Sequence, residues 1–304
     1  MPSSRRVWRR IPPGVRYMAL AALAFSAMSA FVKSLGQRLP SQEIVFLRAL
    51  VSLALSFALL RRAGVAPWGH RRGLLMLRGV WGYAALSCVF FALTRLPLAE
   101  ATMIQYLHPT FTALLAALVL GERPDRSLGA SLVLGSLGVL LVTRPAFVFG
   151  GAAAPLDPAA LAAALGGALL TAVAYVGVRS LSATEHPLVI VLYFPLVSAP
   201  AALPTVIAAG VWPHGVEWLY LGAVGVFAQL GQIWLTRGLT HETASRATVL
   251  SYLQIVFAAL WGALFFGELP GPFALAGAAL IGGGALVGAR AAARQSREPI
   301  PAPQ

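Results

Sequence analysis

The sequence has few charged residues, which normally cover the surface of a soluble protein, and almost no cysteine, which forms disulfide bonds and metal sites. Its 304 residues include one cysteine, one lysine and 10 aspartate and glutamate residues in total. The single cysteine, Cys88, excludes an intramolecular disulfide bond and a cysteine metal site. Charged residues make up 11% of the chain, against roughly 25% in an average soluble domain, which leaves too little polar surface to cover a soluble globule.

The sequence is rich in long apolar runs. Apolar residues make up 58% of the chain, and the mean hydropathy is +0.77. Runs of about 20 residues, the length that crosses a bilayer as a helix, recur throughout. We therefore expect an all-α integral membrane protein, surrounded by lipid, with ten transmembrane helices. The predicted spans are roughly 17–36, 41–60, 73–95, 99–120, 127–143, 157–180, 187–209, 216–237, 243–266 and 271–290.

The net charge of +13 indicates a membrane topology rather than a nucleic acid partner. With the N-terminus in the cytoplasm, 18 of the 23 lysine and arginine residues, Arg78 among them, fall in tails or loops on the cytoplasmic side. Arg48 is expected to be buried. The outer set is Lys33, Arg38, Arg95 and Arg144. Because positive residues accumulate on the cytoplasmic side, both termini are predicted to be cytoplasmic.

The second half of the sequence repeats the first. With a shift of 146 residues, Leu93–Arg144 matches Leu239–Arg290 at 19 of 52 positions. The predicted repeats are residues 1–148 and 149–304, with five helices each. Because five is odd, the second copy enters the membrane upside down relative to the first. Inverted repeats provide two near-equivalent conformations, one open to each side, as alternating access requires.

The N-terminal segment allows two interpretations. Four arginines between Arg5 and Arg10 precede an apolar stretch with small residues at Ser26–Ala30, a pattern that a cleavable signal peptide also shows. Cleavage would remove the first helix of a repeat, so a retained helix is favoured.

Three motifs carry a family resemblance. The first is Ile44-Val45-Phe46-Leu47-Arg48 in the second span. The second is the fourth span, which runs from Ala99-Glu100-Ala101-Thr102 to Pro109 and ends with Gly121-Glu122-Arg123-Pro124. The third is the counterpart of that ending in the second copy, Gly267-Glu268-Leu269-Pro270. Together they resemble the EamA-type, ten-helix branch of the drug/metabolite transporter superfamily. The resemblance implies a five-plus-five inverted bundle. It also implies a central cavity formed mostly by the third, fourth, eighth and ninth helices, with contributions from the first and sixth.

The resemblance implies a secondary transporter. We expect alternating-access transport of a small metabolite, such as an amino acid or a nucleoside-like solute, across the bacterial inner membrane, as an exporter. An uptake permease for a metabolite or vitamin is the alternative. A membrane-embedded enzyme is a more distant one, because the five histidines lack metal-ligand spacing and no carboxylate pair lies mid-membrane. No cofactor is predicted.

Polar and aromatic residues inside the spans are the candidates for substrate binding. Tyr106 of the fourth span aligns with Tyr252 of the ninth, and positions that recur in both inverted copies are expected to face their shared axis. Aromatic packing is the alternative for the tyrosines, and membrane-interface anchoring for Trp81. The predicted substrate-binding residues are Trp81, Tyr83, Gln105, Tyr106, His108, Tyr175, Gln229, Gln232, Tyr252 and Gln254.

Arg48 and His108 are ionisable groups predicted near mid-membrane. An arginine there costs about 2.5–3.5 kcal/mol on insertion scales, so Arg48 should face protein or water. It either hydrogen-bonds between helices or contacts substrate. His108 can change charge near pH 7, which suits proton coupling, and a neutral hydrogen-bonded histidine is the alternative.

Three further expectations concern helix geometry. Glu122 and Glu268 follow glycines at helix ends, where a carboxylate is unfavourable to the helix dipole, so a structural loop partner is expected for each. Pro109 should interrupt the fourth helix, but Ile255 occupies the equivalent position of the ninth, so the kink should not recur. Small residues such as Gly138 and Gly284 favour close helix packing, either within the chain or in a homodimer.

Overall fold

The computed structural model describes residues 11–35, 38–93, 95–96, 98–150, 157–267 and 270–295. All regular secondary structure in these residues is helical, and ten helices are long and apolar enough to cross a membrane. We label them α1 to α10. Eight are continuous: α1 Pro13–Leu35, α2 Ser41–Ala63, α3 Arg72–Leu93, α5 Arg126–Thr143, α6 Pro158–Leu181, α7 Pro187–Ala209, α8 Glu217–His241 and α10 Pro272–Gln295. A short helix, Ala146–Phe149, lies between α5 and α6.

Two helices, α4 and α9, are interrupted in mid-span. Helix α4 consists of Leu98–Gln105 and His108–Leu120, and α9 consists of Ala244–Val249, a 3-10 turn at Leu250–Tyr252, and Leu253–Phe266. In α4, Pro109 lacks an N–H and its ring clashes with the carbonyl four residues earlier, where the first segment ends. The expectation that the second copy lacks this feature was wrong, since α9 departs from α-helical geometry at the same place in the repeat without a proline.

The two repeats interlock along their whole length. Helix α7 begins 146 residues after the start of α2 and ends 146 residues after its end. This is the shift that aligns the two halves of the sequence. Helix α1 packs on α8 and its counterpart α6 packs on α3, while α2 packs on α7 and α5 on α10. The predicted fold of ten helices in two inverted five-helix repeats is confirmed, and the interior of the bundle is lined from both repeats.

Glycines end α4 and α9 at equivalent positions. Gly121 and Gly267 both have a φ of +66°, the left-handed conformation that glycine adopts without steric cost. The chain after Gly121 then reaches Asp125, whose carboxylate accepts a hydrogen bond from the Leu128 backbone N–H and caps α5.

Small residues bring α5 and α10 into backbone contact. A Cβ atom on Gly138 would lie 2.6 Å from the carbonyl oxygen of Gly277, and one on Gly284 would lie 3.1 Å from that of Ser131. These glycines therefore pack within the chain. Gly282 and Gly283 have no such neighbour within 4 Å, and homodimerisation stays a prediction.

The outward faces of the helices are apolar. Leu118 is 81% exposed, Ile207 77% and Leu219 70%. Exposure of so many large apolar side chains is unfavourable in water but not in lipid. Polar side chains lie instead in the interior, where Arg48, Arg78, His108 and Gln229 are buried.

Candidate functional site

A first polar group surrounds the ring of Phe194 on α7. The guanidinium carbon of Arg48 on α2 lies 5.3 Å from the ring centroid, and that of Arg78 on α3 lies at the same distance. Such distances allow cation–π attraction. Arg78 Nη2 donates a 2.8 Å hydrogen bond to Oε1 of Gln232 on α8. We call these four residues the arginine cluster.

Burial of Arg78 corrects the predicted topology in one place. Arg78 was predicted to lie in the cytoplasmic loops, but it lies in α3 and is only 3% exposed. Its Nε and Nη1 atoms are buried without a hydrogen-bond partner. Without Arg78, 17 positive residues are assigned to the cytoplasmic side and 4 to the outer side, so the predicted orientation does not change. Arg48 is 9% exposed, as expected for a residue that faces protein, and its Nη1 contacts only the weak acceptor Met28 Sδ, at 3.6 Å.

Neutral hydrogen-bonding groups lie beside the arginine cluster. Gln229 on α8 is 2% exposed; its Nε2 donates to Ser56 Oγ at 2.8 Å, and its Oε1 has no partner. A small cavity of about 10 Å³ opens between α2, α7 and α8 and is lined by Arg48, Phe194, Gln229 and Gln232, among others. This volume holds about one water molecule.

A second polar group lies where α4 and α9 are interrupted. The rings of Tyr106 and Tyr252 stack with centroids 5.9 Å apart, and His108 packs edge-on against Tyr175 of α6 at 5.5 Å. His108 Nε2 lies 3.4 Å from Ser251 Oγ, while its Nδ1 is buried without a partner. We call these five residues the aromatic cluster.

The surroundings of the aromatic cluster come from both repeats. Tyr252 Oη lies 3.2 Å from Ser136 Oγ of α5, and its ring covers Gly135, where a Cβ atom would approach to 2.3 Å. Gln105 Nε2 donates a long, 3.4 Å hydrogen bond to Thr171 Oγ1 of α6, and its Oε1 has no partner.

Tyr175 of α6 contacts His108, and α6 packs against α3, the helix that carries Arg78. Polar and aromatic side chains therefore lie across the interior of the bundle from Arg48 on α2 to Tyr252 on α9, and we call them the belt. Of the predicted substrate-binding residues, seven lie in this belt or directly beside it: Gln105, Tyr106, His108, Tyr175, Gln229, Gln232 and Tyr252.

The other three predicted residues lie apart from the clusters. Trp81 packs on Gly177 of α6, where a Cβ atom would be 3.5 Å from the indole. Tyr83 Oη donates to the carbonyl of Ala201 on α7 at 3.1 Å. Gln254 is half-buried and has no hydrogen bond to another described residue.

Two members of the arginine cluster, Arg78 and Phe194, were absent from the predicted set. The internal repeat contains a signal for Phe194, because the 146-residue shift places it opposite Arg48. For Arg78, the only indication was its position six residues after the start of α3.

The segments that follow Gly121 hold α4 against the start of α9. The Glu122 carboxylate accepts hydrogen bonds from the Ala244 N–H at 2.7 Å, the Ser245 N–H at 3.1 Å and the Ser245 hydroxyl at 2.6 Å. Asp125 pairs with Arg246. We call these contacts the α4–α9 clasp. Glu268, the counterpart of Glu122, lies outside the described residues.

The clasp also shifts the ionisation of Asp125. Partial burial opposes ionisation, but hydrogen bonds from the Leu128 N–H and the Ser127 hydroxyl, together with the Arg246 guanidinium, outweigh it and hold the pKa of Asp125 below its ordinary value. The Asp125 carboxylate is therefore charged at neutral pH and available to Arg246.

Sequence comparison identifies the class to which this architecture belongs. The EamA-like transporter family matches residues 12–144 and residues 158–289, one match for each repeat. The chain belongs to this family, within the drug/metabolite transporter superfamily, and is a membrane transporter.

Individual relatives resemble the chain over most of its length. The Pseudopaline exporter CntI of Pseudomonas aeruginosa is 38% identical over 269 residues, which cover 88% of this chain and 93% of that protein. Solute carrier family 35 member G1 of Mus musculus is 29% identical over 277 residues, covering 87% and 75%. One solved crystal structure superposes with a TM-score of 0.74 at 24% identity over 92% of this chain and 99% of that one, which shows the shared fold.

Proposed function

We propose that the chain is a secondary carrier that exports a small polar metabolite by alternating access and holds it between the two repeats. One observation carries this proposal: polar side chains of both repeats meet in the belt, beside the interruptions of α4 and α9. In secondary transporters, discontinuous helices near the midplane commonly form the substrate site at the interface of inverted repeats.

The size of the cavity supports a mechanism that involves movement of the repeats. The space beside Arg48 is about 10 Å³, whereas sites for small organic ligands are usually about 300–1,000 Å³. A metabolite can enter only if the repeats separate on one side. Alternating separation on the two sides would carry the solute across without a continuous pore.

The lining supports a solute such as an amino acid or a nucleoside-like compound. Tyr106, Tyr175 and Tyr252 offer apolar ring faces with polar tips, and Gln105 and Gln229 each have a buried amide oxygen without a partner. Export is supported by the relative named as a pseudopaline exporter. Uptake is the opposite outcome of the same transport assay.

We place the protein in the bacterial inner membrane with both termini in the cytoplasm and the boundary between the repeats at 148/149. The 17-to-4 distribution of positive residues supports this orientation. Reporter fusions after Gln304 and after Gly151 should then report opposite sides of the membrane. Signals from the same side would contradict the inverted arrangement.

Proton coupling through His108 is part of the proposal. The imidazole faces Tyr106, Tyr175 and Ser251, and none of the carboxylates whose side chains are described lies within ion-pair distance of it. A histidine in such a place can exchange a proton when the site opens to water.

Transport into and out of proteoliposomes tests the proposal. Labelled amino acids, nucleosides and vitamins should be screened for flux that saturates and accelerates when unlabelled solute is present on the opposite side. Such acceleration is expected of a carrier. Saturable uptake into everted membrane vesicles corresponds to export from the cell, and absence of flux for every solute would contradict the proposal.

A further inference from the structure

The arginine cluster contains two buried positive groups without a buried negative partner. Among the carboxylates whose side chains the structure describes, none lies within ion-pair distance of Arg48 or Arg78. A buried charge without a partner is costly, and charged groups inside membrane proteins are retained mainly where they act on ions or substrates.

The hydrogen-bonding capacity of Arg78 is only partly used. Its Nη2 donates to Gln232, but Nε and Nη1 are buried and unpaired. These two nitrogens point to opposite edges of the guanidinium plane, so each can donate to a carboxylate oxygen, and the remaining N–H of Nη2 completes a two-nitrogen fork with one of them. The contact with Gln232 holds the plane of the guanidinium in place.

Arg48 lies against the same aromatic ring as Arg78. Both guanidinium carbons lie 5.3 Å from the Phe194 centroid, so they are no farther apart than twice that distance. The contacts of Arg48, a thioether and an aromatic ring, are weak and leave its charge uncompensated. Gln229 and Ser52 line the space beside Arg48 and are neutral.

We propose that the substrate is an organic carboxylate and that its carboxylate group binds to Arg78 beside the Phe194 ring, where Arg48 adds a second positive charge. This inference rests on the proposed transport function and specifies its substrate class. The organic part of the solute then extends past Tyr175 toward the aromatic cluster. In a bundle of low polarity, attraction between a carboxylate and two guanidinium groups is weakly screened, which favours an anion over its neutral amide.

Ligand-induced thermal stabilisation of the purified full-length protein in detergent tests the inference. The probes are organic carboxylates paired with amides that lack every carboxylate: succinate with succinamide, glutarate with glutaramide, and benzoate with benzamide, with inorganic phosphate as a separate arm. At least one carboxylate should raise the melting temperature, with at least about tenfold tighter apparent binding than its amide, since binding to the folded state raises stability.

Three variants assign the preference to the cluster. Arg78→Gln and Arg48→Gln should each reduce the carboxylate preference by about tenfold or more, and Arg78→Lys should retain part of it because the charge remains. Arg72→Gln is the matched control, since Arg72 lies on the same helix and is exposed. It should bind as the wild type does.

Several results would overturn the inference. These are equal stabilisation by carboxylates and amides, stabilisation by phosphate alone, no stabilisation by any carboxylate, or an unchanged preference in Arg78→Gln. The wild-type comparison decides the matter even if an arginine variant fails to fold. Flux of a neutral solute without carboxylate preference would refute this inference and leave transport intact, whereas arginine-dependent binding without any flux would refute the transport proposal.

Discussion

Replacement of Glu122 by glutamine tests whether the α4–α9 clasp keeps one end of the bundle closed. The Glu122 carboxylate accepts three hydrogen bonds from Ala244 and Ser245, at the start of α9. Its side chain is 11% exposed, so these contacts are largely shielded from water. The negative charge also faces the positive N-terminal end of α9, which stabilises it further.

Glutamine keeps the size of the side chain and one acceptor oxygen but loses the charge. Hydrogen bonds to charged groups contribute about 1.5–3 kcal/mol each, and neutral ones about 0.5–1.5 kcal/mol. We expect a net loss of at least about 1–2 kcal/mol from the closed arrangement, since this is roughly the loss when even one charged hydrogen bond becomes a neutral one. A change of this size shifts a two-state equilibrium by about five- to thirtyfold.

The shift can be measured by the reactivity of a cysteine at position 248. Thr248 lies in the first segment of α9 and is fully buried, so Thr248→Cys, in a Cys88→Ala background, should react slowly with a polar maleimide in purified protein. Adding Glu122→Gln should accelerate the reaction by at least about fivefold.

Glu217→Gln is the matched control for the Glu122 experiment. It makes the same chemical change at the start of α8, where Glu217 pairs with Arg38 far from the clasp along the chain. This control should leave the reactivity of Thr248→Cys unchanged. Equal reaction rates with and without Glu122→Gln would show that the clasp does not control access to this end of the bundle.

Three other substitutions probe separate features. If His108 carries the coupled proton, His108→Gln should keep substrate binding but flatten the pH dependence of transport between about pH 5 and 8; an unchanged profile with full activity would refute that role. Gly138→Leu should destabilise the α5–α10 contact, because a Cβ atom there already comes within 2.6 Å of the Gly277 backbone; a melting temperature equal to that of the wild type would contradict this packing. The pKa of Asp125 is lowered in the folded state, so ionised Asp125 stabilises the protein when the pH is above the ordinary pKa of aspartate. This contribution is lost as the pH falls below about 4. Asp125→Asn should therefore lose less stability on acidification than the wild type, and an identical loss would show that the lowered pKa has no effect on stability.

The fold was predictable because a bilayer demands helices of a fixed length with apolar surfaces. The interruption of α4 was predictable too, since Pro109 carries it locally. The interruption of α9 was not, because Ile255 is compatible with a continuous helix. There Tyr252 is 1% exposed and packs against Gly135. Tertiary packing therefore accompanies the 3-10 turn, and no local sequence signal indicates it.

The candidate site was predictable where both repeats carry the same residue. Tyr106 and Tyr252 align under the internal shift, and their rings stack in the structure. Arg78 was missed for a physical reason: six residues along a helix is about 9 Å, and an arginine at that depth can extend its head to the membrane surface. Only the packing of α3 against α7 shows that its guanidinium lies inside the protein.

A structure of the protein with a transported solute bound would test most directly where the substrate binds. Once the flux assay has identified a solute, its density should lie between the repeats, in contact with the belt that runs from Arg78 through Tyr175 to Tyr252. Density on the outer surface of the bundle, or within a single repeat and away from α4 and α9, would contradict a carrier whose substrate site is formed where the two inverted copies meet.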